Sequence, residues 1–273
     1  MLNAILGEKI AIVTAKPQTT RKRITGIKTL PEAQIIFVDT PGIHRPLHRL
    51  GEIMVKEARE SMKNVDVVLF LVEPVMPGAG NRLILDLLRD VAAPVFLVIN
   101  KADTVKKPRL LPVIEAYRKL YAFREIIPLS ALTGDGVDLL VGTIVSYLPE
   151  GPRYYPDDLV TDQLERFMVA EIIREKAMEL TEKEVPFAIA TEIMTWQERE
   201  DGIILIGANI YIEREGQKGI IIGKGGSRLK AIGTSAREEI EGLLGAKVHL
   251  SLWVKMRKDW RSNNQFLKEL GFA

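Results

Sequence analysis

Cysteine is absent from the 273 residues, which excludes a disulfide framework and any thiolate metal centre and fits a reducing compartment. Histidine is scarce: the three copies are His44, His48 and His249. His44 and His48 stand four apart without flanking acidic ligands, so they read as loop residues and not as a zinc pair. No apolar run approaches the ~20 residues that span a bilayer. The longest, Val67–Val72 and Val95–Ile99, have the length of strands. The start, Met1-Leu-Asn-Ala-Ile-Leu-Gly-Glu-Lys9, carries neither the basic stretch nor the extended apolar core of a secretory signal. A net charge of +2 is too small to mark the whole chain as a polyanion binder, so any basic surface must be local.

What is present is a globular composition, 47% hydrophobic and 27% charged, at a length that suggests two domains. Up to about Leu148, short β-branched runs alternate with amphipathic stretches. Gln34–Asp39, Asp66–Glu73, Pro94–Asn100 and Glu125–Leu129 read as strands; Ile53–Lys63, Gly80–Val91, Leu110–Leu120 and Val137–Leu148 read as helices. This alternation predicts an α/β fold, a mostly parallel sheet wrapped on both faces, whose ligands sit at the carboxyl ends of the strands. Residues 149–158 are proline-rich and read as a linker. Beyond them the order changes. Helix Leu164–Leu180, a hairpin of Phe187–Thr195 and Ile203–Glu213 turning through Glu198–Gly202, helix Ser227–Leu244, strand Lys247–Lys255 and a helical tail from Trp260 describe a smaller α+β domain. The expected division is 1–148, 149–158 and 159–273.

Three short constellations fall at strand ends in the first part. Asp39-Thr40-Pro41-Gly42 follows an apolar strand. A carboxylate there can hold Mg²⁺ through water, and Gly42 lets a backbone N–H approach a terminal phosphate; equally, these residues make an ordinary turn. Asn100-Lys101-Ala102-Asp103 follows the run Val95–Ile99. Guanine presents N1–H and N2–H₂ side by side, and one ionised carboxylate, Asp103, can accept both. Lys101 can lay its methylene stem on the base, and Asn100 can brace neighbouring loops. Ser130-Ala131 after the fourth strand lets a backbone N–H reach the guanine carbonyl oxygen.

In the second part, Gly223-Lys224-Gly225-Gly226 forms a Gly-x-x-Gly loop between two helical segments, with Arg228 and Lys230 following. Two glycines allow the sharp turn and a close approach to a nucleic-acid backbone, and the middle pair offers N–H groups and a positive charge to phosphates. Lys255, Arg257, Lys258 and Arg261 are further candidates for phosphate contact, or a solvated helix end. Trp196, Trp253 and Trp260 could stack bases, but Trp253, alternating with Leu250 and Leu252 in a strand, reads as a packing residue.

The ordered motifs of the first part resemble the translation-factor class of GTPases. Together with the run Glu215–Gly226 and the ending Leu252–Arg261, the whole chain resembles the Era family, a GTPase domain followed by a type II KH domain. The resemblance implies GTP/GDP and Mg²⁺ as ligands, hydrolysis of GTP, and the 3′ end of 16S ribosomal RNA and the 30S subunit as partners of a cytoplasmic monomer. Peripheral membrane association is implied by the resemblance alone. Pro17-Gln-Thr-Thr-Arg21 matches the family's first switch, so that Thr19 or Thr20 would join Asp39 at the metal. Ile43, where many GTPases have a water-orienting glutamine, cannot hydrogen-bond and implies slow hydrolysis. One departure is larger: no G-x-x-x-x-G-K-[ST] run occurs in the 273 residues. Met1–Gly7 looks like the tail of the helix that follows such a loop, so a P-loop-GTPase-like sheet lacking its first strand is expected. The alternative is an RNA-binding ribosome-assembly protein that has lost GTP binding.

Overall fold

The structure, a computed structural model, describes residues 1–17 and 19–272. The chain divides into two compact units that interleave along the sequence. The first comprises Met1–Ile10, Arg23–His44 and Lys56–Asp162; the second comprises Ala11–Lys22, Arg45–Val55 and the residues from Gln163 onward.

In the first unit, helix α1 (Leu2–Leu6) precedes strands β1 (Ile24–Thr29) and β2 (Gln34–Asp39). The four-residue connection, closed by Leu30 N–H donating to Ala33 O, forces β1 and β2 to pair antiparallel. Helix α2 (Arg49–Ser61) begins in the second unit and ends in the first. Strand β3 (Val68–Val72), helix α3 (Ala79–Leu88), strand β4 (Val95–Ile99), helix α4 (Leu110–Arg118), strand β5 (Glu125–Pro128) and helix α5 (Val137–Val145) follow. The sheet β3-β4-β5 is parallel throughout, and the antiparallel β1-β2 pair is a separate sheet. The parallel sheet expected from the alternation is present as β3-β4-β5, and, as a sheet lacking its first strand implies, no strand hydrogen-bonds β2 to β3 among the described residues.

Every residue of β4 is buried, and its side chains alternate between two cores. Phe96 and Val98 join Leu140, Val141 and Ile144 of α5 on one face. Val95, Leu97 and Ile99 join Leu85, Leu88, Val113 and Tyr117 of α3 and α4 on the other. A continuous Val/Ile/Leu/Phe run is what a central parallel strand with two covered faces requires. The proline-rich 149–158 segment is pinned. Gln34 Oε1 accepts from the N–H groups of Tyr154 and Tyr155, at 2.9 and 3.0 Å. Just beyond it, Val160 O accepts from the N–H of Ile27 on β1.

The second unit packs helices α6 (Glu165–Glu179), α7 (Val185–Ala188), α8 (Glu215–Ile222) and α9 (Ser227–Leu244) with strands β6 (Ala190–Glu198), β7 (Ile204–Ile212) and β8 (Val248–Met256), and ends in α10 (Asn264–Glu269). The sheet order is β6-β7-β8, antiparallel then parallel. Two sequence expectations shift. Phe187–Ile189 is not strand, because Pro186 sits where a helix starts and favours α7. The hairpin turns one residue later than expected, closed by Arg199 N–H to Ile203 O with Gly202 at φ 78°. Ile204, Ile206, Ala208, Ile210 and Ile212 of β7 face Val169, Ile173, Ile232, Ala236 and Ile240 of α6 and α9.

A second apolar cluster brings Leu50 and Met54 of α2 together with Ala190, Tyr211, Trp260, Phe266, Leu267 and Phe272. Gly207 is a tight point on β7: an added Cβ would sit 2.3 Å from Thr195 Oγ1 and 3.0 Å from Cζ3 of Trp253. Gly207→Ala is therefore expected to destabilise the fold by about 1–3 kcal/mol through overpacking. A urea-denaturation midpoint equal to wild type would mean that both neighbours move aside freely.

Candidate functional site

At the carboxyl edge of the parallel sheet, Asn100 joins two loops. Its Oδ1 accepts from Lys101 N–H at 2.8 Å and from Ala131 N–H at 2.9 Å. Ala102 N–H donates to Leu129 O at 3.0 Å, fixing the loops after β4 and β5 side by side. Lys101 adopts φ 62°, ψ 33°, a left-handed conformation uncommon for a residue with a Cβ, and its ammonium pairs with Glu73 beyond β3. Asp103 follows in a short 3₁₀ turn, exposed, beside Thr104, whose hydroxyl donates to Lys101 O. The result is a rigid turn presenting an open carboxylate. Ser130 is buried; its N–H donates to Asp135 O and Ala131 N–H is taken by Asn100, so neither reaches outward.

Asp39 ends β2 opposite Ile24, half-buried, with Thr40 beside it, Pro41 buried and Gly42 exposed. Thr19 and Thr20 belong to the second unit, where Thr19 Oγ1 donates to Lys16 O at 2.7 Å and Thr19 O accepts from Arg174 at 2.6 Å. Gln18 of the same motif lies outside the described residues. Around it, Lys16 donates to Met178 O and Thr181 O, and Arg21 donates to Phe187 O and Ile189 O. Burial, then the neighbouring Arg174, brings the Arg21 guanidinium down to about 9.

The Gly-x-x-Gly loop joins α8 to α9. Gly223 has φ 73°, ψ 172°, and an added Cβ would meet Arg228 Cβ at 2.8 Å and its backbone nitrogen at 2.9 Å, so no side chain fits there. Lys224 and Gly225 are exposed at the tip, with Gly225 at φ 60°. Arg228 folds back to donate to Ile220 O at the end of α8. Beside the loop lies an open groove of about 580 Å³, bounded by Gly226, by Lys230, Gly233, Thr234 and Arg237 on α9, and by Leu250 and Leu252 on β8. Gly233, Thr234 and Arg237 were not singled out in the sequence. They follow Lys230 at i+3, i+4 and i+7, so a helical face drawn through Lys230 would have found them. An apolar floor with basic and hydroxyl walls suits a single-stranded nucleic acid.

The basic tail is partly structural. Arg261 holds Glu213 with a two-pronged ion pair. Burial raises the Glu213 pKa, but the hydrogen bonds and charge of Arg261 outweigh it and leave the carboxyl below its usual value. Arg257 lies over the Phe266 ring, 4.9 Å from its centroid. Trp253, read from the sequence as packing, instead faces away from Leu250 and Leu252 and is half exposed.

The family model described as "50S ribosome-binding GTPase" matches residues 1–101, and that described as "KH domain" matches residues 184–261. Fold and motifs together define a GTPase-type protein with an appended KH unit. The chain is 55% identical to GTPase Era of Geobacter metallireducens over 275 residues and 51% identical to GTPase Era of Clostridium botulinum over 273, covering all of this chain and 92% of each relative. It also matches the crystal structure of Era in complex with MgGDPNP and nucleotides 1506–1542 of 16S ribosomal RNA, with a TM-score of 0.95 at 41% identity, over 100% of this chain and 93% of that one. Aquifex aeolicus Era bound to GDP·AlF4⁻ gives 0.94 at 42%, with the same coverage. The chain belongs to the Era GTPase family.

Proposed function

We propose that this protein binds guanine nucleotide and the 3′ end of 16S ribosomal RNA, hydrolyses GTP to GDP and phosphate, and assists assembly of the 30S subunit as a cytoplasmic monomer. The observation that carries it is the pairing, in one chain, of the Asn100-braced turn with a Gly-x-x-Gly groove. The full-length likeness to Era captured with a GTP analogue and 16S RNA supports the same reading. No helix among the described residues is long and apolar enough to cross a membrane.

In this reading the domains are 1–148 for nucleotide, 149–158 as connection and 159–273 for RNA. Asp103 accepts N1–H and N2–H₂ of guanine, Asn100 holds the turn, and the Lys101 stem covers the base. Asp39, Thr40, Pro41 and Gly42 face the phosphate end, where Asp39 would hold Mg²⁺; Thr20, in the second unit, is the other ligand the family resemblance suggests. When bound, Mg²⁺ neutralises phosphate charge. The exposed carboxylate of Asp103 fits the base; the phosphate end has no glycine-rich cradle within these 273 residues. Ile43 supplies no hydrogen bond to water, so hydrolysis by this chain's own residues is slow. Gly223, Lys224, Gly225, Gly226 and Lys230 contact RNA backbone; Arg228 acts chiefly by holding the loop to α8.

Fluorescence anisotropy of the full chain with a labelled RNA carrying the 3′ end of 16S ribosomal RNA tests the RNA half; absence of binding with and without GTP analogue overturns it. For the base site, Asp103→Asn, in the chain preceded by a phosphate-binding segment, is expected to weaken GTP and favour xanthosine triphosphate. The carboxamide N–H₂ can donate to the carbonyl that replaces the guanine amino group. Competition binding with both nucleotides decides it, and an unchanged guanine preference removes Asp103 from the site.

A further inference from the structure

The outer face of the second unit's sheet carries an exposed indole that the groove does not use. Along β8, Val248, Leu250, Leu252 and Val254 face the helices. Trp253 points the other way, opposite Asn209 of β7, and is 50% exposed. One edge of its six-membered ring rests on Gly207, where only the absence of a Cβ leaves room, and Thr195 Oγ1 closes the same spot from β6. The ring is thereby fixed on one side and open on the other, the form of a stacking surface rather than of a core side chain.

Two observations indicate what it would stack. The outward row of β8 is His249, Ser251, Trp253 and Lys255, with no carboxylate, and Lys255 is exposed two residues from the indole. The carboxylate on this face nearest in register, Glu192 of β6, lies across β7 and is engaged by the Tyr211 hydroxyl at 2.7 Å. β8 is also the edge strand, and its opposite side, through Leu250 and Leu252, lines the groove. A strand leaving the groove over this edge meets Trp253 on the reverse face, beside a cation for its phosphate.

We propose that Trp253 is a second RNA contact: an unpaired base stacks on the exposed indole while Lys255 pairs with the adjoining phosphate, extending the footprint beyond the groove. This rests on the RNA reading of the groove.

The test uses the full 273-residue chain and two single-stranded RNAs from the 3′ end of 16S ribosomal RNA, of about four and about twelve nucleotides, the shorter sized for one KH groove. Trp253→Ala is expected to weaken the longer RNA about tenfold, the worth of one base–aromatic stack, and to leave the shorter one unchanged. Trp253→Phe restores most of the loss. Lys255→Glu, a surface change, weakens the longer RNA selectively without lowering the melting temperature. Unchanged affinity of Trp253→Ala for the longer RNA overturns the proposal and leaves the indole to a protein partner. Equal loss for both RNAs also overturns it, as a structural effect. A wild-type chain that binds neither RNA removes the groove reading, and this one with it; a wild type that binds both, with a Trp253→Ala variant that binds the longer equally well, removes this one alone.

Discussion

Replacing both middle residues of the loop, Lys224→Asp with Gly225→Asp, is expected to lower RNA affinity on the order of a hundredfold or more while leaving the fold intact. Each charge-assisted contact to phosphate is worth about 1.5–3 kcal/mol, and here lost attraction is joined by new repulsion at the closest backbone approach. The fold should hold, because Lys224 is exposed and a Cβ on Gly225 would meet nothing within 4 Å. Gly225 sits at φ 60°, ψ 23°, a region that Asp tolerates better than most residues. Gly223 must stay, since an added Cβ strikes Arg228. Anisotropy titrations of wild type and double variant, with circular dichroism of both, make the comparison. A folded double variant with wild-type affinity would place any bound RNA elsewhere.

The second large effect concerns nucleotide. A polypeptide of these 273 residues is expected to bind GTP several hundredfold more weakly than the same chain preceded by a strand, G-x-x-x-x-G-K-[ST] and the first half of a helix. Such a loop supplies a nest of backbone N–H groups and a lysine, and two charge-assisted bonds at about 1.5–3 kcal/mol each already account for that ratio. The base-recognition turn is built without it, since Asn100, Lys101 and Ala131 are fixed by bonds within the sheet's own loops. Calorimetry with a non-hydrolysable GTP analogue and Mg²⁺ on both polypeptides reads the difference. Micromolar affinity of the 273-residue form would mean that another segment cradles the phosphates.

The RNA experiments use the whole chain for a structural reason. The proline-rich residues 149–158 suggest a cut near Asp157 that frees an RNA-binding fragment. The second unit's core, however, takes Leu50 and Met54 from α2 into the cluster with Trp260, Phe266 and Leu267, and takes the guanidinium of Arg21 to the carbonyls of Phe187 and Ile189. A fragment beginning at Asp157 would expose that apolar cluster and leave those buried carbonyls without donors, at about 1–3 kcal/mol for each unsatisfied group.

By itself the sequence determined what depends on near neighbours. The uninterrupted run Val95–Ile99 has the length and composition of a strand covered on both faces, and Asn100–Asp103 and Gly223–Gly226 carry their loop chemistry within four residues. The helices α4, α5 and α9 start where their apolar periods start. Tertiary structure decided what rests on distant partners. Arg21 looks like one more cation in a solvated loop, yet it is buried because its acceptors lie 166 and 168 residues further on. α2 starts at Arg49 and not near Ile53, because His48 accepts from Gly51 N–H through Nδ1, a cap that histidine rarely advertises. Trp253 shares a strand with Leu250 and Leu252, and the period of two alone sends it to the opposite face. That this face is half open follows from what packs over the sheet: α6, α8 and α9 on one side, and on the other a cluster that covers Ala190 and Tyr211 but stops short of Gly207. Local patterns can say where a side chain points along a strand; only the packing of elements far apart in sequence says what it meets there.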